Sequence, residues 1–257
     1  AGRHGIPVLE DNAHGLFGKY RGRQLGTFGS MAALSFHETK NFICGEGGAL
    51  LINDTGLIER AEILREKGTD RSRFFRGQVD KYTWVDAGSS FLPSDLLAAF
   101  LLAQLEARET ICQKRRCIWE RYQKSLESWA TQRGIRLPKV PEGCEHTHHL
   151  FYLLMPSLED RAAIIKHLRA HGVQAVFHYI PLHLSPMGLR FGGKAGDCQV
   201  TENLSDRLVR LPLFNQLRED DQERVIEAIV CWGHASVAGT KATCEGSPEL
   251  FARGAAS

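Results

Sequence analysis

The chain has 257 residues, 43% of them hydrophobic and 24% charged, and a net charge of +2. That is the balance of a globular protein with enough apolar side chain to fill a core, which excludes disorder as the main description. It holds no apolar run of membrane-spanning length, and its near-neutral charge calls for no nucleic-acid or membrane partner.

The opening stretch runs from Ala1 without an initiator Met. It reads as a processed start or as a piece of something longer. Ile6-Pro7-Val8-Leu9 is a short apolar strand ending at Glu10-Asp11. Ala32 to Phe36 and Ala49 to Asn53 read as two further strands, the second stopped by Asn53-Asp54. Leu57 to Lys67 has helical spacing, with Gly68 at its C′ position. Lys67 to Asp86 is polar and reads as a long loop. Ser94 is a good N-cap for one long helix, whose buried face is Leu97, Leu101, Leu105, Ile111, Ile118, Tyr122, Leu126 and Trp129. A change of pattern near 135 leads into a small α+β region. There, Leu150 to Met155 and Val173 to Tyr179 read as strands and Glu159 to His171 as a helix. Leu208 to Phe214 is a third apolar segment, and Arg218 to Trp232 a closing helix. Three regions are therefore expected: 1–130, part of an α/β domain with the connecting helix; 131–233, a small α+β domain; and 234–257, a loose tail.

Seven cysteines at irregular spacing read as free thiols of a reducing, cytoplasmic compartment rather than a disulfide framework. Cys144-x-His146-x-His148-His149 matches no established zinc spacing, so no metal is expected. Gly45-Glu46-Gly47-Gly48 lacks the features of a nucleotide loop and reads as a tight turn. The Arg65 to Arg76 cluster reads as a solvated face, with a diphosphate contact as the other reading.

Two residues carry chemistry by position. Asp11 ends one strand, and Lys40 lies just past another. Functional side chains gather at such carboxyl ends in α/β sheets. Alone, each is also explained as a turn cap or a solvated amine. Together, an amine and a carboxylate are what a protein chiefly contributes to pyridoxal phosphate chemistry.

Glu10-Asp11-x-Ala13-His14-Gly15, Gly26-Thr27-Phe28-Gly29-Ser30, Ser35-Phe36-His37-Glu38-Thr39-Lys40-Asn41 and Gly45-Glu46-Gly47-Gly48, in that order, resemble the DegT/DnrJ/EryC1/StrS nucleotide-sugar aminotransferases. The resemblance runs from about 6 to 232. It implies the large domain of a fold type I pyridoxal phosphate enzyme, present in part, followed by a small α+β domain. It implies pyridoxal 5'-phosphate as cofactor, Lys40 as the Schiff-base lysine and Asp11 as the partner of the pyridinium nitrogen. It places His14 beside the cofactor ring, Ser35 at the phosphate, Ser90 near the partner subunit's phosphate, and His178 and Tyr179 near the substrate. Arg65 to Ser72, Asp80 to Trp84 and Phe177 to His183 further resemble members that aminate a dTDP-4-keto-6-deoxyhexose, with glutamate as donor. Such members act as homodimers in making precursors of cell-surface polysaccharide such as enterobacterial common antigen.

Asn12 departs from the family's usual small apolar residue. Members also carry a substantial stretch before the position of Ile6, including a phosphate loop and a stacking aromatic. Residues 1–257 alone are therefore expected to show an uncovered sheet edge, exposed apolar surface and no transaminase turnover. A sugar dehydratase of the same fold is the rival enzyme class, against which Lys40 argues. A decayed, inactive remnant is the non-enzymatic alternative.

Overall fold

The computed structural model describes residues 1–233. The stretch expected to be loose, 234–257, lies outside the described residues. The chain forms two compact units. The first is Ala1–Cys112 with Val140–His149, and the second Gln113–Lys139 with the described residues from Leu150 on.

The first unit holds strands β1 (Leu9–Asp11), β2 (Lys19–Tyr20), β3 (Arg23–Gln24), β4 (Met31–Ser35) and β5 (Gly48–Ile52). Helices α1 (Ile58–Arg65), α2 (Arg71–Phe75) and α3 (Asp95–Glu106) follow. Helix α4 (Arg108–Gln132) begins in this unit and continues into the second. Strand β6 (Cys144–Glu145) belongs to the returning segment. β1 lies parallel to β4, with Leu9 opposite Met31 and Asp11 opposite Ala33, and β5 pairs with β4 antiparallel. β2 pairs antiparallel with both β3 and β6.

The first strand starts later than the apolar run Ile6 to Leu9 indicates. Pro7 has no N–H to give a ladder, so regular pairing begins past it. β1 is an edge strand among those described, and Ile6 and Leu9 are each 61% exposed. The expected single helix from Ser94 is two helices. Ser94 Oγ caps the first by accepting from Leu97 N, and the break falls at Ala107. The expected long loop after Lys67 contains the short helix α2. Its backbone is tightly folded: Gly68 has φ +74°, and a Cβ there would lie 1.8 Å from the Asp86 carbonyl oxygen. The unit's buried centre is Phe36, Phe42, Cys44 and Ile111, flanked by Leu97, Leu101 and Leu105 of α3.

Glu10 ties β1 to the turn before β4. Its Oε1 accepts from the backbone N–H of Phe28 and Gly29, each at 2.6 Å, and its Oε2 from Gly26 N at 2.8 Å. Gly29 is close enough that a Cβ would meet the Val8 carbonyl oxygen at 2.4 Å. Burial pushes the Glu10 carboxyl up, but the donors from Gly29, Gly26 and Phe28 and the charge of Arg23 outweigh it and hold the group below its ordinary value. A group held low in the folded state stabilises above its unfolded value and loses that contribution as pH falls through the folded one. Glu10→Gln, which leaves one donor facing an NH₂, is expected to cost about 2–3 kcal/mol. Urea unfolding at neutral pH checks this. The gap between wild type and variant should also narrow on acidification from about pH 4.5 downward.

The second unit carries β7 (Phe151–Leu154), α5 (Leu158–Ala170), β8 (Val176–Phe177), α6 (Pro186–Arg190), α7 (Gln199–Ser205), β9 (Leu208–Leu211) and α8 (Glu219–Cys231). Its antiparallel sheet has the order β7-β9-β8. The strand expected over Val173 to Tyr179 pairs only at Val176 and Phe177. Tyr122, Leu126, Phe151, Leu153, Ile164, Leu168, Val209 and Ile229 form the core. Gln222 Nε2 donates to the Ile118 carbonyl at 2.7 Å, and His167 Nε2 lies 2.8 Å from the Ala228 carbonyl. These bonds tie α8 to α4 and to α5.

Candidate active site

β1 and β4 run parallel, so Asp11 and Ser35 end on the same edge of the sheet. Past β1 the chain turns at once. Asp11 Oδ1 accepts from Ala13 N at 3.1 Å, and Gly15 N donates to the Asn12 carbonyl at 3.0 Å. This turn presents His14. Past β4 the chain makes a hairpin excursion closed by Phe36 N to Gly47 O at 2.8 Å and Cys44 N to Phe36 O at 2.9 Å. Buried Phe36, Phe42 and Cys44 anchor that excursion in the core. Lys40 sits at its tip, where its N–H donates to the His37 carbonyl at 2.9 Å.

The two turns meet. Lys40 Nζ lies 2.8 Å from His14 Nε2. His14, Ser35, Lys40, Asn41 and Phe42 line one shallow cleft. Asp11 stands exposed at the same strand ends, with one carboxylate oxygen engaged by Ala13 and the other without a protein donor. Asn12, the departure from the family pattern, is buried beneath the turn with Nδ2 unpartnered. Ser35 Oγ accepts only a long contact, 3.4 Å, from His37 N. An amine, an imidazole, a carboxylate and a hydroxyl thus gather at the carboxyl ends of parallel strands. That donor set fits an aldehyde-bearing, anionic heteroaromatic such as pyridoxal phosphate: the amine matches the aldehyde, the carboxylate a ring N–H, and the hydroxyl a phosphate oxygen.

Lys40, His14 and Ser35 therefore come together, with Asp11 at the same edge. Ser90 lies elsewhere in the first unit, bridged to Glu66, and does not line this cleft. His178 and Tyr179 belong to the second unit. They line a cavity there with Arg161, Ile180, Glu202 and Asp206, and their rings meet edge to face with centroids 5.7 Å apart. Burial pushes the His178 imidazole down, and the charge of Arg210 adds to the effect.

Three residues at the cleft were not expected from the sequence: Asn41, Thr147 and His149. The imidazole of His149 stacks on that of His14 with centroids 3.9 Å apart and planes 23° apart. Its one cue was the Cys144 to His149 run, whose spacing fits no zinc site and does not point to a stacking partner either. Among the described residues no group of three His, Cys, Asp or Glu could hold a metal ion. The six cysteines among the described residues are free, and no helix among those residues is long and apolar enough to cross a membrane.

Residues 1–230 match the model of the DegT/DnrJ/EryC1/StrS aminotransferase family. The dTDP-3-amino-3,4,6-trideoxy-alpha-D-glucose transaminase of Streptomyces venezuelae is 31% identical over 234 residues, 90% of this chain and 58% of that protein. The solved structure of DesV from S. venezuelae is 31% identical, with a TM-score of 0.79 over 90% of this chain and 59% of that one. The Streptococcus pneumoniae protein Spr1654, solved in PLP and PMP forms, is 26% identical. Its PMP form has a TM-score of 0.78 over 87% of this chain and 58% of that one. The chain thus spans under two thirds of the length of these relatives. A family model over nearly every described residue, and the same fold in solved members, agree with what the cleft is built from: this chain belongs to the DegT/DnrJ/EryC1/StrS aminotransferase family.

Proposed function

We propose that this protein is a pyridoxal phosphate-dependent sugar-nucleotide aminotransferase that converts a dTDP-4-keto-6-deoxyhexose to its 4-amino sugar, with glutamate as donor. The product class is a precursor of cell-surface polysaccharide such as enterobacterial common antigen, made by a cytoplasmic homodimer. We assign cofactor binding to the unit of Ala1–Cys112 with Val140–His149, and read the other unit as the small domain, which moves the boundary expected near 130. The observation that carries this reading is Lys40 Nζ on His14 Nε2 at the strand ends that also present Asp11 and Ser35.

The cofactor, when bound, supplies an electron sink that lets a C–H bond next to nitrogen be broken. The protein's own work is to hold and to move protons. Lys40 Nζ would hold the cofactor by its aldehyde and, as a free amine, would take up and return a proton in the cleft. His14 Nε2 accepts from Lys40 Nζ and keeps the amine directed into the cleft. Asp11 would accept from the ring N–H and favour its protonated form, and Ser35 Oγ would donate to the phosphate. His178 and Tyr179 contact the sugar nucleotide, and Ser90 serves the phosphate of the partner subunit's site. Lys40 is also the feature that favours amination over dehydration within this fold.

A turnover assay on the full-length protein tests the reading. With glutamate and pyridoxal phosphate, a dTDP-4-keto-6-deoxyhexose should give the 4-amino sugar and 2-oxoglutarate. A deoxygenated sugar with no amine gained would favour the dehydratase. No product from any keto sugar nucleotide would favour the inactive remnant.

A further inference from the structure

The cleft has a second layer of polar side chains that bind one another rather than a ligand. Asn41 is the residue after Lys40 and is buried. Its Nδ2 donates to the Thr147 carbonyl at 2.7 Å. A carbonyl only accepts, so this bond fixes which end of the amide is which. Asn41 Oδ1 then faces His149 Nδ1 at 2.9 Å. An amide oxygen also only accepts, so His149 must carry its proton on Nδ1. Thr147 Oγ1 in turn donates to the His14 carbonyl at 2.6 Å. The His149 ring lies flat against the His14 ring.

These contacts close a loop of four residues, with Lys40 attached to it at His14. Lys40 touches His14, His14 stacks on His149, His149 donates to Asn41, Asn41 donates to Thr147, and Thr147 donates back to His14. We propose that His149, held by Asn41 and Thr147, is a positioning residue. It clamps the His14 ring so that Nε2 faces Lys40 Nζ. The proposal rests on the reading of Lys40 as the amine that takes the cofactor.

The chemistry follows from donor counts. A lysine ammonium has three donors and no acceptor. At 2.8 Å it must meet a lone pair on His14 Nε2, so while Lys40 is charged the His14 proton sits on Nδ1. A free imidazole can turn over and present either nitrogen. A ring stacked on a neighbour, with its own backbone carbonyl held by Thr147, cannot swing about Cα–Cβ out of reach of Lys40 without losing the stack, and contact with Lys40 then selects the nitrogen it presents. His14 itself is exposed, so packing from the core does not supply this restraint. The segment 140–149 belongs to the first unit, and this loop of contacts gives that return a role.

The test uses the full-length protein with pyridoxal phosphate as probe. Borohydride reduction and peptide mapping follow the rate at which Lys40 is labelled, and ¹⁵N-detected NMR without cofactor reads the His14 tautomer. Wild type should show one His14 tautomer. His149→Ala should show both and should label Lys40 about tenfold more slowly, as for loss of a group that orients a functional one. His149→Phe keeps the stack and should recover most of the rate. His14→Ala with His149→Ala should be no slower than His14→Ala alone, because His149 acts only through His14. An unchanged tautomer and rate in His149→Ala, or additive losses in the double variant, would overturn the proposal. If His149→Ala does not fold, the ring-keeping His149→Phe decides: a single His14 tautomer supports the clamp and a mixture refutes it. Wild-type label on a lysine other than Lys40 would instead defeat the functional reading beneath it.

Discussion

Replacing Lys40 by Ala is expected to abolish transamination, lowering turnover about 10³-fold or more. A positioned acid or base alone contributes about 10²–10⁴-fold, and in the proposed role Lys40 would also be the attachment point. Lys40 is half-exposed at the tip of a hairpin anchored by Phe36, Phe42 and Cys44, so the variant should keep the fold. Lys40→Arg separates charge from chemistry. It keeps the cation beside His14, but a guanidinium does not give up its proton. It should be as inactive as the Ala variant. An active Lys40→Arg enzyme would assign Lys40 an electrostatic role only. The measurement is keto sugar-dependent release of 2-oxoglutarate, with thermal unfolding as the control for structure.

Asp11→Asn carries the second large effect. An amide of the same shape can still accept from Ala13 N, so the turn that presents His14 should persist. What is lost is the negative charge opposite a protonated ring nitrogen. Breaking a buried charge pair costs about 3–5 kcal/mol. Asp11 is exposed in the cofactor-free chain and a bound ring would cover it only on one side, so the lower end of that range applies to the loaded site: ~3 kcal/mol, or about a hundredfold in rate. Attachment at Lys40 should survive in this variant while single-turnover transamination slows. An Asn variant with wild-type single-turnover rates would remove Asp11 from the mechanism.

The strands that build the site were legible because they are short apolar runs ended by turn formers. Met31 to Ser35 and Gly48 to Ile52 lie within a residue or two of where the pattern puts them. Helix caps were legible in part. Ser94 carries the hydroxyl that caps α3, but α1 ends two residues before the expected Lys67. Glu66 is its C-cap, the C′ position falls on Lys67 with φ +61°, and Gly68 follows it, closing the turn by donating to the Ile63 carbonyl. The break between α3 and α4 was not. No Gly or Pro stands there, and the Ala107 backbone tightens by itself, its N–H shared between Ala103 O and Leu105 O. Nor was the return of 140–149 to the first unit. Its cues are single long-range bonds, Lys19 Nζ to Glu145 at 3.0 Å and Asn41 Nδ2 to Thr147 O at 2.7 Å, which leave no local periodicity.

The site divides along the same line. Lys40 and Asp11 follow from their places at strand ends, and His14 and Ser35 from an ordered motif. His149 lies 109 positions from Lys40 and shares no pattern with it. Only the fold brings its ring against His14. The glycines of Gly26 to Ser30 gain a physical reason as well, since Glu10 gathers three backbone N–H groups there.

Everything proposed for the cleft depends on Lys40 being the amine that takes the cofactor. Incubating the full-length protein with pyridoxal phosphate, reducing with borohydride and mapping the peptides tests it most directly. One pyridoxyl group per chain is expected, on Lys40, displaced neither to Lys19 nor to Lys67. Label spread over surface lysines, or concentrated on any lysine other than Lys40, would contradict it.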